Sequence, residues 1–91
     1  MKHKHLVKRG GHQHVFDPRK VYASCYSACL SADVKHAEAE KLCENVTRDI
    51  KKWIKTKNKV TSNQIFKEMI KIIKKYNKDA AFMYETHRDI S

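Results

Sequence analysis

The only two glycines of this 91-residue chain and its only proline all lie between residues 10 and 18. An all-β domain needs such residues at many turns, and a low-complexity linker is rich in them. The rest of the chain therefore predicts neither an all-β domain nor a low-complexity linker. A hairpin is expected only near the glycine pair. Lys4 to Lys8 predicts one short strand and His12 to Phe16 its partner. Arg9-Gly10-Gly11 supplies the turn, because glycine accepts the positive φ of tight hairpin turns.

Hydrophobic periodicity predicts four helices after this hairpin. Asp17 is a natural N-cap and Pro18 fits the first helical position, so the first helix is expected to extend to about Ser31. The second helix is expected to begin at a cap on Asp33 and to end between residues 54 and 56.

The third helix is expected to open at Val60-Thr61-Ser62, where Thr61 or Ser62 is the cap and Val60 adds a brief extended pairing to the hairpin. A break at residues 77–79 separates it from a last helix that ends at about Arg88. The predicted fold class is α+β and mainly helical, with a small N-terminal β-hairpin, or three short strands, capping a four-helix bundle. Residues 1–91 are expected to form one domain, with residues 1–3 as a flexible tail.

The formal net charge of +10 predicts a polyanionic partner. Nucleic acid, an acidic membrane surface and phosphorylated small molecules all meet this condition. No apolar run approaches the length of a bilayer span, and the first residues lack the apolar core of a signal peptide. We therefore expect a cytoplasmic protein with no membrane partner. The three cysteines are an odd number, which argues against a disulfide framework in that compartment.

The cations around the predicted hairpin suit a phosphate ligand. Lys8 and Arg9 end the first strand, and Lys20 lies in the first turn of the first helix, at the positive end of its dipole. Lysine acts as a point charge, and arginine contacts two phosphate oxygens at once. From spacing alone, the commoner interpretation of such a turn is a solvated hairpin tip. The Gly-Lys-Ser/Thr ending of a P-loop is absent.

Several segments together resemble the ATP-cone domain. They are Val7-Lys8-Arg9 with its glycine turn, Phe16-Asp17-x-x-Lys20-Val21, Val60-Thr61-Ser62-x-x-Ile65 and Tyr84-x-x-His87-Arg88-Asp89. The resemblance covers about residues 4–90, with the elements in the same order. It implies a three-stranded cap on a four-helix bundle and the role of an adenine-nucleotide sensor. In ribonucleotide reductases this domain binds ATP and dATP in competition at one site, and it also occurs in a bacterial repressor of reductase genes.

The resemblance also implies a role for each matching residue. Val7 would present backbone groups near the base, and Asp17, or the backbone near it, would contact the adenine amino group. Ser62 would help to bind phosphate, and Mg²⁺ would accompany the triphosphate. The phosphates would be held by three cations, Lys8, Arg9 and Lys20.

Two positions depart from the family pattern. His14, counted among the nucleotide-binding residues, stands in the second strand where many relatives have glutamate. Phe66 stands where several reductases have a polar partner for the ribose. Both departures affect recognition of the base and sugar more than recognition of phosphate.

Other arrangements of residues have two interpretations each. Histidines and cysteines are metal-ligand types, but Cys25 and Cys29 share an apolar helix face with the expected core. Core packing therefore accounts for them, and for Cys43, better than a metal does, and no metal site is predicted. A helical stripe of small polar residues either lets a ligand approach the first helix closely or is a solvated face. Its members are Lys20, Ser24, Ser27 and Ser31.

We expect a regulatory module without catalytic activity that senses ATP or dATP, because no nucleophile–base pair is recognisable. Its partner would be a ribonucleotide reductase, a nuclease or a repressor protein, and a homo-oligomer is left open. The alternative is a small basic nucleic-acid-binding protein that uses the lysines of residues 51–59 and of the third helix. A solvated face is the other interpretation of these lysines, since Trp53 is the only aromatic residue near them.

Overall fold

The computed structural model describes residues 6–9 and 12–87, with the side chains of residues 16–86. Four helices dominate it, α1 (Pro18–Ser31), α2 (His36–Lys55), α3 (Ser62–Tyr76) and α4 (Lys78–His87). The strands are β1 (Leu6–Arg9), β2 (His12–Val15) and the two-residue β3 (Val60–Thr61). Helices α1 and α3 each pack against α2 and α4, so the four helices form a bundle.

Helix α1 begins where its sequence predicts. Asp17 has extended backbone angles, and its Oδ1 accepts a 2.9 Å hydrogen bond from the backbone N–H of Arg19. Pro18 takes the first helical position, where its missing N–H costs nothing. This cap places the next two residues, Arg19 and Lys20, in the first turn.

The prediction that Asp33 caps α2 is wrong, because Asp33 ends α1 instead. Its φ is 62°, in the left-handed region that aspartate tolerates better than most residues. The N–H of Val34 donates to the carbonyl of Cys29 at 2.9 Å, and the N–H of Asp33 donates to that of Leu30 at 3.1 Å. This pairing is the usual closure of a helix by a left-handed residue. Helix α2 then begins at His36 without a side-chain cap.

The starts of α3 and α4 both have polar caps. Thr61 Oγ1 accepts from the N–H of Gln64 at 3.1 Å, and Gln64 Oε1 accepts from the N–H of Thr61 at 2.9 Å, which is a capping box. The Asn77 side chain accepts from the N–H of Ala80 at 3.0 Å. The break between the two helices is therefore the single residue Asn77, shorter than the sequence predicts.

The core lies among the helices and is fully apolar within the described residues. Helix α2 supplies six buried side chains and α3 three, with α1 and α4 completing the interior. Among the side chains of residues 16–86, Val60 of β3 is the one that is buried outside the helices. In this part of the chain, no helix combines the length and the apolarity that crossing a bilayer requires. The largest fully buried side chains are Ile50, Ile54, Met69, Ile73 and Val46.

The predicted fold class, an α+β domain in which a hairpin caps the bundle, is corrected by these elements. From Phe16 to His87 the chain consists of four helices and one two-residue strand, with no sheet of its own. A hairpin cap over the helical core is not shown, and the domain is a mainly helical one. The physical reason is that five of the eight residues in β1 and β2 are polar, so these two strands offer little apolar surface with which to cover the bundle.

Candidate nucleotide-binding site

The start of α1 carries two cations at the positive end of a helix dipole. Arg19 and Lys20 are both exposed, and the first turn contains no acidic residue. Arg19 Nε lies 3.4 Å from Asp17 Oδ1, although its side chain is 93% exposed. Among the described side chains, no carboxylate lies within 4.0 Å of the Lys20 ammonium. The N–H groups of Arg19, Lys20 and Val21 are all bonded to Asp17, so this end of the helix can attract an anion through its dipole and its two exposed cationic side chains.

Asp17 is already engaged in holding the helix. The hydrogen bond from the Arg19 backbone N–H keeps the pKa of the Asp17 carboxyl below its ordinary value, with help from the Arg19 side chain. Asp17 is consequently ionised at neutral pH and acts first as an N-cap. Its predicted contact with an adenine amino group stays a prediction.

The second half of the predicted site is the start of α3. Ser62 is the first residue of this helix and is half-buried, and the first turn of α3 contains no acidic residue either. The backbone register pairs Lys8 with Thr61 and Val7 with Val60. The backbone of Lys8 is therefore next to the cap that precedes Ser62, as a shared phosphate site requires.

The register of the strands also shows how α1 is connected to β1, beside which α3 starts. Val15 pairs with Leu6, so the chain leaves β2 for α1 beside the first residue of β1. Thr61, which leads into α3, pairs with Lys8 two residues further along. The two helix starts are thus connected to different points of β1, about 7 Å apart at the rise of an extended strand.

Four of the predicted binding residues, Val7, Lys8, Arg9 and His14, have side chains outside those that the structure describes. The glycine turn at residues 10–11 and the closing residues Arg88 and Asp89 are outside the described backbone as well. The predicted convergence of three cations on one phosphate group therefore stays a prediction.

An aromatic pair lies one helical turn beyond Ser62, and its pairing is not apparent in the sequence. Phe66 stacks on Tyr84 of α4, with ring centroids 5.5 Å apart and planes inclined by 24°. Both residues are half-buried. The i,i+4 spacing puts Phe66 on the same helix face as Ser62, but the contact with Tyr84 depends on how α3 and α4 pack. The pair is an apolar surface beside the candidate phosphate site.

The small polar stripe of α1 behaves as an exposed helix face. Ser24 Oγ donates to the carbonyl of Lys20 at 2.7 Å and lies 3.2 Å from that of Val21, so it is bonded within its own helix. Ser24, Ser27 and Ser31 are all exposed. These contacts favour the interpretation as a solvated face over that of a ligand-contacting stripe.

The lysines considered for nucleic acid are all exposed. They lie on the last turns of α2, on the connector, on the outer face of α3 and at the first residue of α4. Trp53 is half-buried, and Lys57 Nζ lies 5.4 Å from its ring centroid. Its indole is therefore covered, and it does not offer an open stacking surface for a base. These lysines are Lys51, Lys52, Lys55, Lys57, Lys59, Lys67, Lys71, Lys74, Lys75 and Lys78.

A further polar contact joins α1 to α2 on the surface. Tyr26 Oη hydrogen bonds to His36 Nδ1, and His36 Nε2 lies 3.3 Å from Glu40 Oε1. The His36–Glu40 spacing of four residues could have indicated the second contact, but nothing in the sequence predicts the first. Burial raises the pKa of the Tyr26 phenol above its ordinary value, so the hydroxyl stays protonated at neutral pH.

No protein-family model matches this chain, and no curated protein or solved structure matches it.

Proposed function

We propose that this chain is a regulatory module that binds an adenine nucleotide, ATP or dATP, and performs no chemistry on it. The observation that carries the proposal is the start of α1, where Arg19 and Lys20 stand in a first turn without an acidic residue. The helix dipole repels cations at that end, so an anion held by the Arg19 and Lys20 side chains relieves the repulsion. The resemblance to the ATP-cone domain supports an adenine nucleotide as that anion.

The phosphates would lie between the starts of α1 and α3. Lys20 contributes its ammonium from α1, and Ser62 contributes its hydroxyl from α3. Lys8 and Arg9 would complete the cationic set, and the pairing of Lys8 with Thr61 supports this role. Mg²⁺ would accompany the triphosphate as a counter-ion, held by the phosphate oxygens. At the other end of the ligand, Val7, Asp17 and His14 are proposed as the residues facing the base.

The proposed site would distinguish ATP from dATP only weakly. Phe66 packs against Tyr84, and its ring has no group that hydrogen bonds to a ribose hydroxyl. A site discriminates strongly by a hydroxyl only when a buried polar partner is left unpaired without it. We therefore expect similar affinities for the two nucleotides.

Regulation would follow from a difference in affinity between conformational states. Helices α1 and α3 both pack on α2 and α4, so a ligand joining their starts favours one arrangement of the bundle. A ligand can shift an equilibrium only by its differential affinity for the two states. The partner that reads this shift would be a ribonucleotide reductase, a nuclease or a repressor protein, or a second copy of the chain. We also propose the cytoplasm as its location.

A basic nucleic-acid-binding protein is the second candidate, and the exposed lysines of α2 and α3 favour it. Several phosphate contacts would make its binding steeply dependent on salt, because each contact releases counterions from the nucleic acid. A nucleotide site depends on salt less, since a single ligand displaces few ions. Salt dependence therefore separates the two candidates.

The test is calorimetric titration of the chain with ATP, dATP, GTP and a short DNA duplex at two salt concentrations. Lys20→Ala is expected to weaken ATP binding by about tenfold or more, because a hydrogen bond to a charged group contributes about 1.5–3 kcal/mol. The matched control is Lys41→Ala, which removes the same charge from an exposed position on α2 and should change the affinity less than twofold. Tight, salt-dependent duplex binding without nucleotide preference would reject the sensor and favour the second candidate.

A further inference from the structure

All three cysteines of the chain meet inside the bundle. Cys25 and Cys29 lie one turn apart on α1, and Cys43 approaches them from α2. Their three sulfur atoms all lie within 4.8 Å of one another, and each residue is 0% exposed. The pair on α1 follows from helical spacing, but the third member is brought in only by the packing of two helices.

The separation of the sulfur atoms is close to that of a metal–thiolate site. A thiolate lies about 2.3 Å from a bound zinc ion, which puts neighbouring sulfurs of a trigonal or tetrahedral site about 3.8–4.0 Å apart. The cysteine cluster therefore needs to close by less than about 1 Å to surround an ion. Rotation about the side-chain bonds of the cysteines supplies such a movement without unwinding either helix.

Burial makes the three thiols sensitive to a nearby positive charge. Each cysteine is fully removed from solvent, and a buried thiolate without a positive partner is costly. Without a cation, three thiolates are therefore disfavoured here, and a positive ion at their centre removes that penalty.

We propose that Cys25, Cys29 and Cys43 form a site for one thiophilic metal ion, either Zn²⁺ or Cu⁺. Thiolate ligands select these ions over the hard cations that prefer oxygen. Binding converts three thiols into three thiolates and releases three protons to solvent, since the metal ligand is the deprotonated sulfur. Zn²⁺ would need a fourth ligand, such as a water molecule, whereas Cu⁺ is satisfied by sulfur alone. The experiment distinguishes the two ions.

An ion has a short route to the cluster. Tyr22 and Tyr26 are half-buried on α1 and pack against the core that contains the three cysteines. The two rings are therefore part of the layer that separates this core from the surface. An ion would enter by displacement of a tyrosine ring, which is a side-chain motion and needs no opening of the bundle.

Simple packing is the rival explanation, since free cysteine is among the most often buried residues. Ala28 and Ala39 are buried in the same interior, so small side chains are tolerated there without a sulfur atom. Alanine is therefore a suitable replacement at each cysteine, and folding of the variants can be checked by circular dichroism. If the cysteines serve only to pack the core, they should not bind a metal ion specifically. The proposed site requires that they do.

The test is titration of the reduced, metal-free full chain under anaerobic conditions with Zn²⁺ and, separately, with Cu⁺, each against a competing chelator. We expect one equivalent of one of these ions to bind, with a thiolate-to-metal charge-transfer absorption and release of protons. Each of the variants Cys25→Ala, Cys29→Ala and Cys43→Ala should weaken binding by more than about 100-fold, because losing even an outer-shell partner costs 10–100-fold. Thermal melts should show stabilisation by the ion in the wild type and none in these variants.

Two controls separate this site from other sites in the chain. The histidines at positions 3, 5, 12 and 14 are a source of adventitious binding, so a variant with all four changed to Asn should keep the charge-transfer band and the affinity. Lys20→Ala should leave metal binding unchanged, so the site can fail or succeed independently of the nucleotide proposal. The proposal is overturned if neither ion gives a thiolate band in the wild type, or if binding survives Cys43→Ala and disappears in the histidine variant. If an alanine variant does not fold, the test is alkylation of the wild-type thiols with and without the metal ion. The proposed site requires that the ion protects the thiols, and an absence of protection rejects it.

Discussion

Tyr76 Oη donates a 2.7 Å hydrogen bond to Asp49 Oδ2 and so joins the last turn of α3 to α2. Lys75 Nζ lies 3.7 Å from the same oxygen, and Arg48 Nε lies 3.6 Å from Oδ1. The hydrogen bond from Tyr76 is the largest cause of a lowered pKa at Asp49, and Lys75 and Arg48 add to it. The two partners are 27 residues apart in sequence, so the contact reports the packing of α2 against α3.

Tyr76→Phe should lower the free energy of unfolding by about 1 kcal/mol at pH 7. A hydrogen bond to a charged group contributes about 1.5–3 kcal/mol, and the 40% exposure of Tyr76 reduces this. Because the folded pKa of Asp49 lies below the unfolded value, the contribution is present above about pH 4 and is lost as the pH falls through the folded pKa. Urea denaturation from pH 7 down to pH 2 should therefore show the wild type and Tyr76→Phe converging in acid. A constant difference across this range would contradict the assignment.

Asp33→Gly should raise the free energy of unfolding by about 0.5–1 kcal/mol. Residue 33 is held at a φ of 62°, where side chains other than glycine pay a steric cost of about 1–2 kcal/mol. Glycine removes that steric cost, but it also increases the conformational entropy of the unfolded chain, which offsets part of the gain in stability. The matched control is Asp33→Ala, which removes the same carboxylate but keeps Cβ. Stabilisation by alanine equal to that by glycine would show that the charge is responsible and the backbone is not.

Thr61→Ala should lower the free energy of unfolding by about 1 kcal/mol, because the side chain satisfies an N–H at the start of α3. Gln64→Ala should cost less, since it removes only the return bond of the capping box. Thr86→Ala is the control in the last turn of a helix. Thr86 Oγ1 donates to carbonyls of its own helix, and alanine is the better helix former, so no loss is expected. Equal losses at Thr61 and Thr86, measured by chemical denaturation, would argue against the capping role.

Thr47→Val should stabilise the domain by about 0.5–1 kcal/mol. Thr47 Oγ1 is buried without a hydrogen-bond partner among the described residues, and an unsatisfied buried hydroxyl is costly. Valine has nearly the same shape, so the change removes the polar atom without creating a cavity. Thr56→Val is the comparison, because Thr56 is exposed and its hydroxyl donates to the Trp53 carbonyl at 2.6 Å. Thermal melts should rise for Thr47→Val and stay level or fall for Thr56→Val.

Much of the helical architecture is predictable from local chemistry. The Asp17-Pro18 start and the end of α1 at Ser31 are as predicted, because the signals lie within a few residues of the boundary. The Thr61 cap is confirmed for the same reason. The start of α2 was predicted wrongly, since an aspartate between two helices can cap the second or close the first. Its left-handed backbone, which the sequence does not display, decides in favour of closing α1.

The candidate sites divide in the same way. That Lys20 follows a helix start, and that Cys25 and Cys29 share a helix face, can be read from spacing along one helix. Three other contacts cannot be read from spacing, because each of them joins two helices. They are the approach of Cys43 to that pair, the stacking of Phe66 on Tyr84 and the hydrogen bond from Tyr76 to Asp49. Periodicity specifies which face of a helix is apolar, but the neighbour that this face meets, and the axial offset between them, depend on packing all four helices at once. The bundle's elements thus follow from local sequence, whereas the sulfur cluster and the aromatic pair exist only in the tertiary structure.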